Sequence, residues 1–246
     1  MSNLAGKIAL VTGGSRGIGA GVAERLARAG ADVAVTYVHS AEQADTVVRR
    51  IEALGRRAVA IQADAADAAA VVGAVERTVA EFGRLDILVN NAGVGIMAPL
   101  EQLTVEQADQ SYAVNIRSVF VASQAAAAHM GQGGRIISIG SALSRHVPFP
   151  GASLYTMSKS ALVGLTKGLA RDLAGRGVTV NLVQPGAINT DLNPVDGPAA
   201  ESQRVLTTVG HFGETSDVAA MVAYLAGEEA RFVTGTALAI DGGHSI

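Results

Sequence analysis

Apolar positions along the chain follow two alternating rhythms. Short aliphatic and β-branched runs at residues 7–12, 32–37, 58–62, 87–90, 135–139, 178–183 and 237–240 predict seven strands. Between them, residues 17–29, 41–54, 66–82, 105–129, 152–174 and 216–225 have the length and amphipathic spacing of helices. Parallel strands need long crossovers, which helices supply. The alternation therefore predicts one α/β domain over residues 1–246, a doubly wound parallel sheet of seven strands with helices on both faces. Gly30 and Gly55 fall just beyond two helix patterns, where left-handed backbone stops a helix at little steric cost. From 191 to 213 the rhythm dissolves into Asn193-Pro194 and Gly197-Pro198 before a short helical stretch at 199–206. That excursion reads as a substrate lid or as an ordinary surface insertion.

Composition removes several classes of function. Hydrophobic residues make up 49% and charged residues 17%, a balance that favours a well-buried core over disorder. A formal charge of -3 without any basic stretch argues against nucleic acid and leaves small molecules or copies of the chain as partners. Cysteine is absent, which excludes disulfides, thiolate metal sites and cysteine nucleophiles, and the five histidines have no zinc-like spacing. No metal is expected. The strand pattern begins at Lys7, which leaves no room for a leader, and no apolar run approaches the roughly 18 residues a bilayer demands. These readings predict a cytoplasmic protein with no membrane partner.

The first strand runs directly into Thr12-Gly13-Gly14-Ser15-Arg16-Gly17-Ile18-Gly19, and a helix follows at once. Glycines there permit a tight turn and close backbone approach to a pyrophosphate, while the helix N-terminus offers free N–H groups. An ATPase phosphate loop would need Gly-Lys-Ser/Thr, which is missing. Gly13-Gly14-Ser15-Arg16-Gly17 formally matches the hydrolase nucleophile elbow, yet too little chain precedes it for the strands that such an elbow requires. A dinucleotide fold selecting NAD usually places an acidic residue about twenty positions on. Here the second strand ends in Thr36-Tyr37-Val38-His39-Ser40, with no carboxylate before Glu42, and Arg16 offers a forked cation to a 2'-phosphate. NADP(H) is favoured over NAD(H), which stays open, as does a plain solvated role for Arg16.

Tyr155 and Lys159 stand at i and i+4, on one face of a predicted helix, with Ser141 upstream. A neighbouring ammonium is expected to favour the ionised phenol and bring it nearer neutrality, where it can exchange protons with a carbonyl or alcohol. Singly, a helical Tyr is an ordinary amphipathic core residue and Ser141 an ordinary strand end. Their joint spacing points to nicotinamide-dependent carbonyl reduction.

The chain resembles the short-chain dehydrogenase/reductase family over essentially its full length. The resemblance rests on Thr12-Gly13-x-x-x-Gly17-x-Gly19, Asn90-Asn91-Ala92-Gly93, Asn115 in Val114-Asn115-Ile116, Ser141 in Ile139-Gly140-Ser141, Tyr155-x-x-x-Lys159, and Pro185-Gly186 followed by Thr190. It implies one Rossmann-like domain, a homotetramer, and hydride movement between NAD(P)(H) and an alcohol or carbonyl. It implies that Tyr155 is the general acid in reduction, that Ser141 hydrogen-bonds the substrate oxygen, that Lys159 binds the nicotinamide ribose and biases Tyr155, and that Asn115 holds a water linking Lys159 to solvent. The implied cofactor contacts are Gly13, Ser15, Arg16, Gly17, Ile18 and Gly19 at the turn, Tyr37 and Val38 after the second strand, and Asp64 and Ala65 after the third. Asn91, Ala92 and Gly93 would lie on the adenine-ribose side, and Tyr155, Lys159, Pro185, Gly186, Ile188 and Thr190 beside the nicotinamide. Asp64 also reads as a helix N-cap.

Ala142, Leu143, His146, Val147, Phe149, Leu154 and the 191–213 excursion should border a mainly apolar pocket suited to a neutral ketone or aldehyde, although His146 also reads as a solvent-facing loop residue. The nearest subgroup in appearance is that of the ketoacyl-carrier-protein reductases. Docking an acidic carrier calls for basic residues, and the turn Met130-Gly131-Gln132-Gly133-Gly134 is neutral, with Arg176 left available. A small-molecule carbonyl reductase is therefore favoured. Residues 183–194 also resemble family members linked to biofilm dispersal through nucleotide sensing, for which turnover would be unnecessary. The 105–129 and 152–174 helices are apolar on more than one stripe, which fits either self-association or complete burial.

Overall fold

The computed structural model describes residues 3–246. Its strands are β1 (Ile8–Val11), β2 (Asp32–Tyr37), β3 (Ala58–Gln62), β4 (Ile87–Asn90), β5 (Arg135–Ile139), β6 (Thr179–Pro185) and β7 (Ala237–Ile240). Its helices are α1 (Gly17–Arg28), α2 (Ala41–Glu52), α3 (Ala68–Phe82), α4 (Val105–Tyr112), α5 (Ser118–His129), α6 (Ser153–Leu173), α7 (Ala200–Leu206) and α8 (Thr215–Ala226). The strands form one seven-stranded sheet in the order β3-β2-β1-β4-β5-β6-β7, every pairing parallel. Leu10 lies between Ala34 and Leu88 in register.

Side chains alternate across a strand, so the core divides in two. Val11, Val35, Val89 and Ile137 pack with Leu26 of α1, Ile51 of α2 and Val222 of α8. Leu10, Ala34, Leu88 and Ile136 pack on the opposite face with Val75 of α3, Ala126 of α5 and Leu173 of α6. Burial on both faces explains why the inner strands β1, β4, β5 and β6 read as largely apolar runs, whereas the edge strands β3 and β7 are only partly covered.

β1 and β4 are neighbours, but the chain proceeds from β1 towards one sheet edge and from β4 towards the other. Their carboxyl ends flank a switch point, where an open α/β sheet leaves a crevice. The predicted site segments all follow strand ends on this side.

Three local features depart from the sequence reading. The helix expected over 105–129 is interrupted between α4 and α5 by a π turn at Ala113–Arg117. Such a turn inserts one residue without leaving helical backbone, so hydrophobic periodicity does not reveal it. The helix expected from residue 66 starts at Ala68, because the Asp67 carboxylate accepts the Ala69 N–H at 2.8 Å. β6 reaches Pro185 rather than ending at residue 183, carried by pairing with β7 up to Ile240. Gly30 and Gly55 follow α1 and α2 with positive φ, as expected. Among the described residues no helix is long and apolar enough to cross a membrane, and no group of three or more His, Asp or Glu could hold a metal ion.

Candidate active site

The glycine turn is built by hydrogen bonds from its neighbours. The Gly13 N–H donates to Thr36 Oγ1 at 2.9 Å and the Gly14 N–H to the Thr36 carbonyl at 3.0 Å, docking the turn on β2. Thr12 Oγ1 accepts the N–H groups of Asn91 and Ala92, and Asn91 Nδ2 donates to the carbonyls of Thr12 and Gly13. Asn91 therefore spends the N–H groups of its carboxamide on the turn, leaving Oδ1 and its backbone carbonyl for a ligand. A Cβ at Gly19 would lie 2.4 Å from both Asn91 Nδ2 and the Gly13 oxygen, so no side chain fits there. α1 begins after Arg16 without a side-chain cap and with no acidic residue in its first turn. Its free N–H groups and positive dipole end suit an anion. Ser15 is partly buried on the turn, while Ile18, also partly buried, packs against the core.

Arg16 is exposed, and its guanidinium has no ion-pair or hydrogen-bond partner among the described residues. Tyr37 and Val38 are half-buried at the end of β2. Asp64 is exposed, and its carboxylate accepts the Ala66 N–H at 2.8 Å, so it closes the turn ahead of α3 while Asp67 serves as the N-cap. Beneath these strand ends lies a small cavity of about 20 Å³, lined by Thr12, Thr36, Ala63, Ala65, Asn90 and Ala92 and closed by residues of α3 and α5. Tyr155 does not line it.

The reacting centre stands at the ends of β4 and β5. Ser141 lies two residues beyond β5, is buried, and its Oγ accepts the Leu143 N–H at 3.2 Å, leaving its O–H free to donate. Lys159 is 6% exposed, and its Nζ donates to the Ile139 carbonyl at 3.0 Å. A Cβ on Gly93 would sit 3.2 Å from Asn115 Oδ1 and 3.3 Å from Lys159 Nζ, which gathers the β4 loop, the π turn and α6 around one point.

Asn115 sits inside the π turn and clamps Val94 on both sides. Its Oδ1 accepts the Val94 N–H and its Nδ2 donates to the Val94 carbonyl, each at 2.9 Å. Nδ2 also donates to Ser158 Oγ at 3.0 Å, and Ser158 donates in turn to the Tyr155 carbonyl. The water role expected for the Asn115 side chain is thus confined to one remaining lone pair on Oδ1.

Charge behaviour corrects one expectation. Burial pushes the Tyr155 phenol above its ordinary value, with a Ser141 hydrogen bond as the opposing influence, so Lys159 does not draw it towards neutrality in this structure. Lys159 itself is lowered to about 8 by burial. The two groups approach one another, with Nζ 5.9 Å from the Tyr155 ring centre, but their spacing on the helix is not what tunes the phenol.

After β6, Gly186 packs so closely on Asp241 that a Cβ would fall 2.7 Å from the Asp241 Cα. Pro185, Gly186 and Ile188 are half-buried or buried, and the Thr190 methyl lies 3.6 Å from the Cβ position of Gly17. Thr190 therefore joins this loop to the glycine turn. The 191–213 excursion returns to where it began: Gly213 donates to the Ala187 carbonyl and accepts from the Asn189 N–H. Reciprocal 2.9 Å bonds between Asn193 and Gln203 brace it internally. Leu192, Val205 and Val209 remain exposed on it. Of the expected pocket lining, Ala142, Leu143 and Leu154 are buried, Phe149 is half-buried, and His146 and Val147 face solvent.

Thr36 and Ser158 were not singled out from the sequence. Thr36 looks like any β-branched strand residue, and its partner lies across β1. Ser158 occupies a spacer position of Tyr155-x-x-x-Lys159, where nothing marks it.

Residues 13–245 match the family described as enoyl-(acyl carrier protein) reductase. The chain is 42% identical over 242 residues to the cyclic-di-GMP-binding biofilm dispersal mediator protein of Escherichia coli K12, covering 98% of each chain. It is 40% identical over 241 residues to a 3-oxoacyl-(acyl-carrier-protein) reductase of Staphylococcus aureus, covering 96% of this chain and 97% of the other. Among solved structures, a short chain dehydrogenase of Burkholderia cenocepacia in complex with NADP superposes with a TM-score of 0.98 at 57% identity, covering 99% of this chain and all of that one. With a seven-stranded parallel sheet and matches spanning nearly its whole length, the chain belongs to the short-chain dehydrogenase/reductase family of oxidoreductases.

Proposed function

We propose that this protein reduces a neutral ketone or aldehyde to its alcohol with NADP(H), reversibly, using Tyr155 as general acid and base. The convergence of Ser141, Tyr155 and Lys159 at the carboxyl ends of β4 and β5 carries this reading. The Ser141 O–H would donate to the carbonyl oxygen as negative charge develops there, and Tyr155 would deliver the proton. A phenol held above its ordinary value stays protonated at working pH, as a proton donor must. The Lys159 ammonium would bind ribose hydroxyls and favour the charge left on Tyr155, with Asn115 completing its path to solvent.

The cradle fits a dinucleotide. Gly13, Ser15, Arg16, Gly17, Ile18 and Gly19 would hold the pyrophosphate, Asp64, Ala65, Asn91, Ala92 and Gly93 the adenosine side, and Pro185, Gly186, Ile188 and Thr190 the nicotinamide. Bound there, the reduced cofactor supplies a hydride. The unpaired Arg16 and a β2 end without a carboxylate at Tyr37 or Val38 support NADP(H), as does the NADP complex of the Burkholderia relative. The domain is read as one unit over 1–246, with 191–213 as a lid whose exposed Leu192, Val205 and Val209 would cover an apolar substrate. Met1 and Ser2 lie outside the described residues.

An acyl-carrier substrate has less support. Arg176, expected to be available for an acidic carrier, donates to the Ala127 and Met130 carbonyls at the end of α5. A nucleotide-sensing role has the Escherichia coli relative in its favour, but a pure sensor has no use for Ser141 and Tyr155 in this arrangement. Tyr112, Phe120 and Met157 are 52%, 45% and 54% exposed on α4, α5 and α6, which supports self-association to a homotetramer through these helices. A monomer in sedimentation equilibrium would remove that inference.

Tyr155→Phe is expected to lower ketone turnover by about a hundred- to ten-thousandfold while NADPH binding, followed by nicotinamide fluorescence, is retained. Unchanged reduction rules out the proton role. Val38→Asp is expected to shift preference from NADPH towards NADH through repulsion of the 2'-phosphate, and equal affinity for NADPH in the variant would refute the cofactor assignment. Because Lys159 is lowered to about 8, its charge is present below that pH and lost above it. The kcat/KM for NADPH should therefore decline as pH rises through about 8, and Lys159→Met should remove that step; a wild-type profile flat across this range contradicts it.

A further inference from the structure

The 191–213 excursion is held at its far side by the C-terminal turn that follows β7. Thr208 Oγ1 donates to the Gly243 carbonyl at 2.9 Å, and the Val209 N–H donates to the Gly242 carbonyl at 3.1 Å. Gly242 has φ of 58°, and a Cβ there would lie 2.8 Å from the Thr207 and Val209 side chains. Only glycine permits this approach. The turn is itself tied down by Asp241, whose carboxylate accepts the Gly243 and Ser245 N–H groups and the Ser245 hydroxyl. Asp241 packs in turn on Gly186, at the floor of the site.

His244 sits within this turn. The proposed reaction gives its side chain no role, yet the residue is 6% exposed and its Nδ1 is buried with no hydrogen-bond partner among the described residues. An imidazole so placed is tolerated neutral and opposed when charged. We propose that residues 241–245 form a latch for the 191–213 lid and that protonation of His244 loosens it, so that lid closure and substrate retention weaken in acid. This rests on reading 191–213 as the substrate lid.

The charged and titratable groups acting on His244 are Asp241 from its own turn and His146 from the loop after β5, and the lid segment against the turn, 207–209, carries none. Burial lowers the imidazole below its ordinary value of 6.5, Asp241 opposes that, and His146 adds to it. The sign follows from linkage. A base lowered in the latched form binds its proton more tightly when unlatched, so the latch has full strength above 6.5 and loses it as pH falls towards the latched value. His146 lies between Ser141 and Tyr155 in sequence, so the pair couples the tail to the loop that borders the substrate pocket.

The test is hydrogen–deuterium exchange of residues 200–210 in the full chain, expressed as protection factors at about pH 8 and about pH 5.5. The wild type is expected to lose protection there about fivefold on acidification, while peptides from β1 and β4 keep theirs. His244→Gln, neutral at both pH values, should lose the acid response, and His146→Gln should reduce it. Thr208→Val removes one latch bond without touching the imidazole. It should lower protection about fivefold at both pH values, the worth of one hydrogen bond, and raise KM for a ketone more than it lowers kcat. Unaltered protection in Thr208→Val overturns the latch, and an undiminished acid response in His244→Gln overturns the proton switch. Exchange needs no turnover: if it behaves as expected while no ketone is reduced, the reductase reading falls and the latch stands.

Discussion

A lysine ammonium buried without an ion-pair partner is the constraint around which this site is arranged. Lys159 has one carbonyl acceptor, that of Ile139, and is lowered from 10.5 to about 8. A shift of that size corresponds to about 3 kcal/mol of unfavourable charging at neutral pH. The structure tolerates it because α6 is held from several sides. Ser158, one residue before Lys159, is bonded to Asn115, and Asn115 grips Val94 in the loop after β4. Gly93 leaves the space beside Nζ open. A cation kept poor in partners is one that gains most from polar groups brought by a ligand, which is a structural reason to couple cofactor binding to the reacting centre.

The same burial sets Tyr155. Adjacency to a cation would pull the phenol down, but desolvation wins, and the phenol is raised. The outcome favours proton donation. Ser141 acts in the opposite sense: its Oγ accepts the Leu143 N–H, which positions the hydroxyl, and its nearness to the phenol opposes the rise at Tyr155. The Tyr155 acidity relevant to catalysis is therefore a property of the assembled pocket rather than of two side chains one turn apart.

That distinction explains what the sequence could reveal. All seven strands were legible, β2 to β5 and β7 to the residue: the inner ones as buried runs, and the partly exposed edge strands β3 and β7 from their aliphatic content. Glycines that need positive φ or exclude a Cβ, such as Gly13 and Gly19, were legible because no other residue meets the demand. The π turn was not, since Ala113 and Arg117 remain helical while the turn re-aims Asn115. Long-range hydrogen bonds were equally hidden. Nothing local in Thr36 announces its bond to Gly13, and nothing in Arg176 shows that α5 will use its guanidinium. Types and positions could be read, but which lone pairs and protons are already spent could not.

Those spent groups bear on the substrate. In the proposed reductase the walls would include the buried Ala142, Leu143 and Leu154, with no fixed charge among them, and the excursion would add Leu192, Val205 and Val209, which are exposed. A charged carrier arm would have to dock elsewhere, because the neutral turn after α5 and the engaged Arg176 present little attraction for an acidic protein. Apolar walls discriminate weakly between ketones that differ by a methylene, so selectivity in such a pocket must come from its shape and from how tightly the lid closes. The excursion is fixed by the bonds of Gly213 to Ala187 and Asn189 at one end and by those of Val209 and Thr208 to Gly242 and Gly243 at the other, and on the proposed lid reading these bonds would decide how tightly it covers a substrate.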